Sequence, residues 1–143
     1  MTTIEFVKSH GTLNDFVIVF DPDDRLELDR EVVARVCNRR GGIGGDGLIR
    51  IVRQGLDDDG SPVYFMDYRN ADGSQAEMCG NGIRCMALYL LRRELVNPLV
   101  GSCKIETRAG TKTVSWERNT SHSSKVQWFA VDMGKPSFEF SAV

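Results

Sequence analysis

Four consecutive residues, Cys79-Gly80-Asn81-Gly82, stand directly before a strongly apolar stretch running from Ile83 to Leu91. If that stretch is helical, the N–H groups of Gly80, Asn81 and Gly82 have no helical acceptors, and with the helix dipole they favour negative charge beside Cys79. A thiol so placed ionises more readily than an ordinary one and serves as a base or nucleophile. The same N–H groups suit a carboxylate or phosphate, and glycine at 80 and 82 lets an anion approach the backbone closely. A proton-transferring sulfur and an anion clamp are therefore expected side by side. Taken alone, the pattern also fits a small buried thiol ahead of a packed helix.

Other chemistry-bearing residues are weaker candidates. Asp72, Gly73 and Ser74 suit a tight polar turn after Asn70. Arg84, an isolated charge opening an apolar helix, needs an anionic or buried partner, and an ion pair is the simpler expectation. His10 is expected to hydrogen-bond structurally, and His122 to be solvated among serines. The glycines from Gly41 to Gly47 lack the Lys-Ser/Thr ending of a phosphate loop and read as a turn bordering a cleft. Cys85 reads as a core thiol, and Cys37 and Cys103 lack Gly-rich anion sites. The four cysteines form no CxxC pair, so no zinc or other metal site and no disulfide framework is expected.

The elements that must position Cys79 follow from periodicity. From Asn81 to about Glu94 the apolar residues surround the axis, so this helix is expected to be buried on all sides. A first helix is expected over Asp29–Arg40, capped by Asp29, with Val32, Val33, Val36 and Cys37 on one side and Gly41-Gly42 as the stop. Strands are expected at Ile4–Val7, Phe16–Phe20, Leu48–Arg53, Val63–Tyr68, Lys104–Thr107, Thr111–Trp116 and Val126–Val131, mostly antiparallel. A turn at Ala109-Gly110 would join two of them, and Trp116 and Trp128 would pack in the sheet. Segments 55–62 and 119–125 read as exposed loops.

The bulk numbers agree with one globular domain: 143 residues, 41% hydrophobic, 27% charged, net charge −2. Lys and Arg nearly balance Asp and Glu, so no basic stripe for nucleic acid is present. No apolar window is long enough for a membrane span or signal peptide, which leaves a cytoplasmic protein as the expectation.

The stretch NADGSQAEMCGNGIR, residues 70–84, resembles the signature of diaminopimelate epimerases. HGTLNDFVIV (residues 10–19), GGIGGDGLI (41–49) and VDMGKP (131–136) are similar to further segments of that family, in family order. The resemblance implies an α+β fold: a single lobe of the diaminopimelate epimerase-like fold, a small, mostly antiparallel β-barrel wrapped around a central buried helix. Residues 1–132 would form this N-terminal lobe and residues 133–143 the start of the crossing to an absent C-terminal lobe. It further implies a cofactor-independent reaction in which two cysteines interconvert LL- and meso-diaminopimelate, for lysine and peptidoglycan precursors. By position, Cys79 matches the first-lobe acid/base, Gly80 and Asn81 the clamp on the α-carboxylate, and Asn14 and Asn70 asparagines that read the far end of the substrate. Asp72, Gly73, Ser74 and Arg84 would support the site. Gly47 stands where some members carry a Gln contact, so that contact is absent or replaced.

The implied partners are diaminopimelate itself, the missing C-terminal lobe and a second copy in a homodimer. Without the second lobe the chain is expected to be inactive. Two alternatives stand beside this reading. A proline racemase-like or phenazine-pathway-like isomerase shares the fold, although proline racemases resemble a version with His where Asn81 stands. A lone lobe acting as a non-catalytic binding or assembly module is the other.

Overall fold

The computed structural model describes residues 3–117 and 127–135. Its seven strands pair in chain order: β1 (Val7–Gly11), β2 (Asn14–Phe20), β3 (Gly47–Leu56), β4 (Pro62–Asn70), β5 (Ser102–Thr107), β6 (Gly110–Trp116) and β7 (Phe129–Val131). The β2–β3 and β4–β5 pairs are parallel and the other four are antiparallel. Parallel neighbours need a crossover. Helices α1 (Arg30–Cys37) and α2 (Gly80–Arg92) supply the two that are required.

Strand direction decides where those helices go. Because β3 and β4 are antiparallel, the two crossovers leave strands of opposite direction while stepping the same way across the sheet. Crossovers of one hand then fall on opposite faces. The period-2 alternation of the strands agrees: Val17, Val19 and Leu48 pack with Val33 and Cys37 of α1, whereas Phe16, Ile18, Ile49, Ile51 and Met66 pack with Ile83, Met86 and Leu90 of α2. The larger core therefore lies around α2, in the concavity of a half-barrel.

Helix α1 starts as expected, with the Asp29 side chain accepting from Val32 N at 2.8 Å. It ends three residues before Arg40, because Asn38 Oδ1 takes the N–H groups of Arg40 and Gly41, both at 2.9 Å. Beyond it, the N–H groups of Gly42, Gly44 and Gly45 bond to the carbonyls of Asn38, Val36 and Cys37. The Gly-rich loop is thus the C-terminal cap of α1. A Cβ at Gly42 would lie 2.0 Å from Arg35 O, which leaves glycine as the residue that fits.

Helix α2 is not buried on all sides. Gly82, Ile83, Cys85, Met86, Ala87 and Leu90 are buried, but Asn81, Arg84, Leu88 and Leu91 form a half-exposed stripe along the axis. Both sheet edges, β1 and β7, touch α2. Among the described residues the sheet stops at those edges, and the arc between them leaves the stripe open.

Smaller differences from expectation have similarly local causes. The first strand is Val7–Gly11, not Ile4–Val7, since its register on β2 begins at Val7↔Ile18 and Ile4–Phe6 have no strand opposite them. In the β5–β6 hairpin Thr107 pairs with Gly110, so the turn residues are Arg108 and Ala109. Trp116 packs and donates to Pro98 O at 2.9 Å, while Trp128 is 76% exposed. Segment 119–125, His122 and Val126 lie outside the described residues.

On the outer face, a buried ionic cluster ties these pieces together. Asp67 of β4 is 2% exposed and accepts from Arg50 Nε at 2.9 Å, Arg69 Nε at 2.7 Å and Arg108 at 2.5 Å. Arg50 also reaches Asp24 and Leu26 O in the β2–α1 connection, at 2.8 and 2.9 Å. Burial alone would raise the Asp67 carboxyl, but hydrogen bonds from Arg69 and Arg108 outweigh it and hold the group below the usual carboxylate range. A depressed folded value means stability that is present above the unfolded value and is lost as pH falls through the folded one. Asp67→Asn leaves three clustered guanidiniums underpaired and is expected to cost about 3–5 kcal/mol in urea denaturation at neutral pH. Wild-type stability is expected to decline below about pH 4 more steeply than that of the variant.

Candidate active site

Helix α2 opens at the surface with Cys79 as its N-cap, in extended conformation (φ −131°, ψ 121°) and with no side-chain cap. Ile83 N bonds back to Cys79 O at 2.8 Å, so the N–H groups ahead of it remain at the open helix end. Two glycines permit this seat. A Cβ at Gly82 would approach Ile49 Cδ1 to 3.1 Å and Cys79 Cβ to 3.4 Å, and one at Gly11 would approach Asn81 O to 3.1 Å. Strand β1 thereby closes onto the first turn of α2. Cys79 is half-buried, whereas Cys85, one and a half turns on, lies in the core.

The expected site residues fall into two networks. In the first, Asn14 Oδ1 lies 3.7 Å from Cys79 Sγ and accepts from Asn81 Nδ2 at 3.3 Å. Asn14 Nδ2 donates to Asp46 Oδ2 at 2.6 Å, and Arg84 donates to Asn81 Oδ1 and, at 3.1 Å, to Thr12 Oγ1. Asn14, Cys79, Asn81 and Arg84 are therefore brought together. Among the described residues Arg84 forms no ion pair, and its partners are an amide and a hydroxyl. Thr12 and Leu13, the two residues between β1 and β2, both have positive φ (55° and 66°), a conformation unfavourable for a β-branched residue. The Arg84–Thr12 bond holds this strained turn at the rim of the site, where Leu13 is 84% exposed.

The second network surrounds Asn70. Its Nδ2 donates to Ser74 Oγ at 3.0 Å, its N–H to Ser74 O at 2.8 Å, and its carbonyl accepts from Gly73 N at 2.9 Å. Asp72 Oδ1 takes both the N–H and the hydroxyl of Ser74, which holds the Asp72 carboxyl below its ordinary value. Gly73 has φ +83°, and a Cβ there would meet Arg30 O at 2.1 Å. The turn thus fixes Asn70. Gly47 pairs with Asn70 across β3–β4, and a Cβ on it would lie 2.7 Å from both Arg69 O and the Tyr68 ring. Close strand packing therefore leaves no room for a side chain at 47.

Three further residues border the site without having been singled out as candidates: Asp46, Tyr68 and Met133. Asp46, delivered by the Gly-rich loop, is held by Arg39 at 3.0 Å and by Asp15 N at 3.1 Å. Asp15 in turn is pinned by hydrogen bonds from Arg39 and Lys8, which keep its carboxyl far below the usual range. Tyr68 has its phenol pushed up to about 12 by burial first and then by the charges of Cys79 and Asp46, so it remains a neutral donor. A Cβ on Gly80 would meet Met133 at 3.6 Å, which places that half-exposed side chain against the helix entrance. An acidic residue inside a glycine run was the one available sequence signal for Asp46. His10 faces away from the helix, exposed, and among the described residues its side chain makes no hydrogen bond. No three His, Cys, Asp or Glu side chains among the described residues are grouped to hold a metal ion.

The arrangement is an open face with one half-buried sulfur, an amide oxygen beside it and the first backbone N–H groups of α2 beneath. A cavity of about 440 Å3 lies elsewhere, between residues 3–7, the end of β2 and the end of α2, and includes none of these groups.

Residues 6–139 match the family model described as diaminopimelate epimerase. A diaminopimelate epimerase of Corynebacterium glutamicum (strain R) is 50% identical over 138 residues, which cover 94% of this chain and 48% of that protein. One of Streptomyces coelicolor is 48% identical over 123 residues, covering 82% and 42%. The chain thus spans about half the length of the curated relatives it matches. Among solved structures, a PhzF-family phenazine biosynthesis protein of Bacillus anthracis superposes with TM-score 0.57 at 22% identity over 80% of this chain and 35% of its own. A methylitaconate-delta-isomerase superposes with TM-score 0.59 at 16% identity, over 80% and 34%. These two likenesses establish the half-barrel fold.

The four thiols should separate by reactivity. Burial pushes Cys37 and Cys85 up and Cys103 to about 11. Iodoacetamide at about pH 8 is expected to alkylate Cys79 at least about tenfold faster than Cys103, with Cys37 and Cys85 reacting after denaturation. Peptide mass spectrometry reads the order, and equal rates at Cys79 and Cys85 would contradict an open sulfur at the helix mouth.

Proposed function

Because the chain belongs to the diaminopimelate epimerase family, we propose that it supplies the first-lobe half of a site that inverts one α-carbon of 2,6-diaminopimelate. The observation that carries this reading is the half-buried Cys79 sulfur at an uncapped helix start, with the Asn14 amide 3.7 Å away. The substrate α-carboxylate would lie on the N–H groups of Gly80 and Asn81, where the helix dipole favours an anion. That placement sets the α-carbon beside Cys79. In one direction the sulfur, as thiolate, takes the α-proton. The C–H electron pair remains on carbon and spreads into the clamped carboxylate, whose negative charge the backbone donors stabilise. A second group, contributed by the other lobe, gives a proton to the opposite face. In the reverse direction Cys79 is the S–H donor.

Inversion needs groups on both faces, and one sulfur serves one face. The open, half-exposed surface around α2 suits a half-site completed by a second lobe. Asn70, fixed by its turn, and Asn14 would select the polar distal end of the substrate. Protein groups carry both proton transfers in this reading, and the setting is a soluble enzyme of amino-acid biosynthesis.

The test is a solvent-deuterium exchange and epimerisation assay on this chain alone and mixed with a C-terminal lobe of a diaminopimelate epimerase. We expect no turnover by the chain alone and recovery on mixing. Cys79→Ala should reduce the recovered rate by about 10²–10⁴-fold with the fold retained. A mixed sample that binds diaminopimelate without exchanging its α-proton would favour the binding-module alternative instead.

A further inference from the structure

Two asparagine amides lie in series across the Cys79 sulfur, and the groups at their outer ends differ in kind. A carboxylate accepts hydrogen bonds without donating, and a guanidinium donates without accepting. At one end Asp46 Oδ2 is 2.6 Å from the Asn14 amide nitrogen. At the other, Arg84 donates to Asn81 Oδ1. We propose that Asp46 and Arg84 are positioning residues that fix the direction of this amide chain, so that an acceptor oxygen, and not an N–H, faces the thiol.

The chain runs Arg84 N–H to Asn81 Oδ1, Asn81 Nδ2–H to Asn14 Oδ1 and Asn14 Nδ2–H to Asp46, with 3.3 Å at the central bond. Reversing Asn14 would set its oxygen against the Asp46 carboxylate, and reversing Asn81 would set its NH2 against the Arg84 guanidinium. Either flip replaces a charge-assisted bond with a repulsion. Asp46 cannot swing aside to allow it, because its other oxygen is held by Arg39 at 3.0 Å and Asp15 N is 3.1 Å from the oxygen that Asn14 uses. Arg84 is tethered likewise through Thr12 at 3.1 Å.

The consequence for chemistry rests on the reading of Cys79 as an acid/base group. When the sulfur holds a proton, the S–H donates to Asn14 Oδ1 at 3.7 Å, which orients it. The Asn81 side chain is meanwhile committed to Asn14 and Arg84, which keeps it off the backbone donors that clamp the carboxylate.

The experiment has two arms. In this chain, labelled with nitrogen-15, solvent exchange of the Asn14 and Asn81 side-chain NH2 protons is compared in wild type, Asp46→Asn, Asp46→Glu and Arg84→Gln. Asp46→Asn has the same shape but can turn either way, so exchange should rise about tenfold while the backbone spectrum is preserved and Asp46→Glu restores protection. If Asp46→Asn disturbs the backbone spectrum, Arg84→Gln decides the same question from the opposite end. Unchanged exchange in both variants overturns the proposal. In the two-lobe enzyme, Asp46→Asn should lower kcat about tenfold to a hundredfold with KM changed less than about threefold, and Asp46→Glu should recover part of the loss. Wild-type kcat in Asp46→Asn and Arg84→Gln overturns the positioning role. A wild-type two-lobe enzyme that does not epimerise removes the functional reading, and the exchange arm then decides the amide polarity alone.

Discussion

One helix carries both the core of this lobe and its candidate site, and that double duty constrains everything around it. Ile83, Met86 and Leu90 of α2 are buried against the concave face of the sheet, each worth about 1.5–3 kcal/mol of burial. The same helix must begin at the surface with its first N–H groups open. Burying a helix along most of its length while leaving its start without a side-chain cap fixes where the strands can go. It also favours glycine at 11 and 82, where a Cβ would sit 3.1 Å from Asn81 O and from Ile49 Cδ1 and the neighbour would have to give way.

Charge is handled in two separate places. On the convex face Asp67 collects three arginines from β3, β4 and the β5–β6 turn, a structural assembly with no access to the sulfur. At the rim, Lys8, Asp15, Arg39 and Asp46 form a second assembly that joins β1, β2 and the Gly-rich loop. The first resists rearrangement because its carboxylate is almost entirely buried. The second is half-solvated, so its individual pairs add little stability. Within it, Asp46 is held 2.6 Å from the Asn14 amide nitrogen.

Parts of the fold and site whose signals are local are legible in the sequence. The start of α2, the cap at Asp29, the turn that holds Asn70 and the alternating strands all depend on residues close together in the chain. What is not legible there depends on distance. Asn14 meets Asp46 across 32 positions and Arg84 meets Thr12 across 72, through contacts that exist only after the loop folds over α1 and β1 closes on α2. Periodicity marks Leu88 and Leu91 for burial with the rest of α2, yet they lie half-exposed, because periodicity reports what a helix would cover and not where a sheet ends. Glycine at 47 was read through a missing contact, whereas the crowding by Tyr68 and Arg69 decides it.

The seat of Cys79 has a mechanical corollary. Its Cβ lies against Gly82, which is wedged on Ile49, and the next residue of the helix is fully enclosed. Close-packed interiors transmit displacement instead of absorbing it, so the backbone that carries the sulfur is coupled to the core while the sulfur itself stays partly exposed. The start of α2 is thus a stiff mount, its backbone braced by the same packed residues that make up the core.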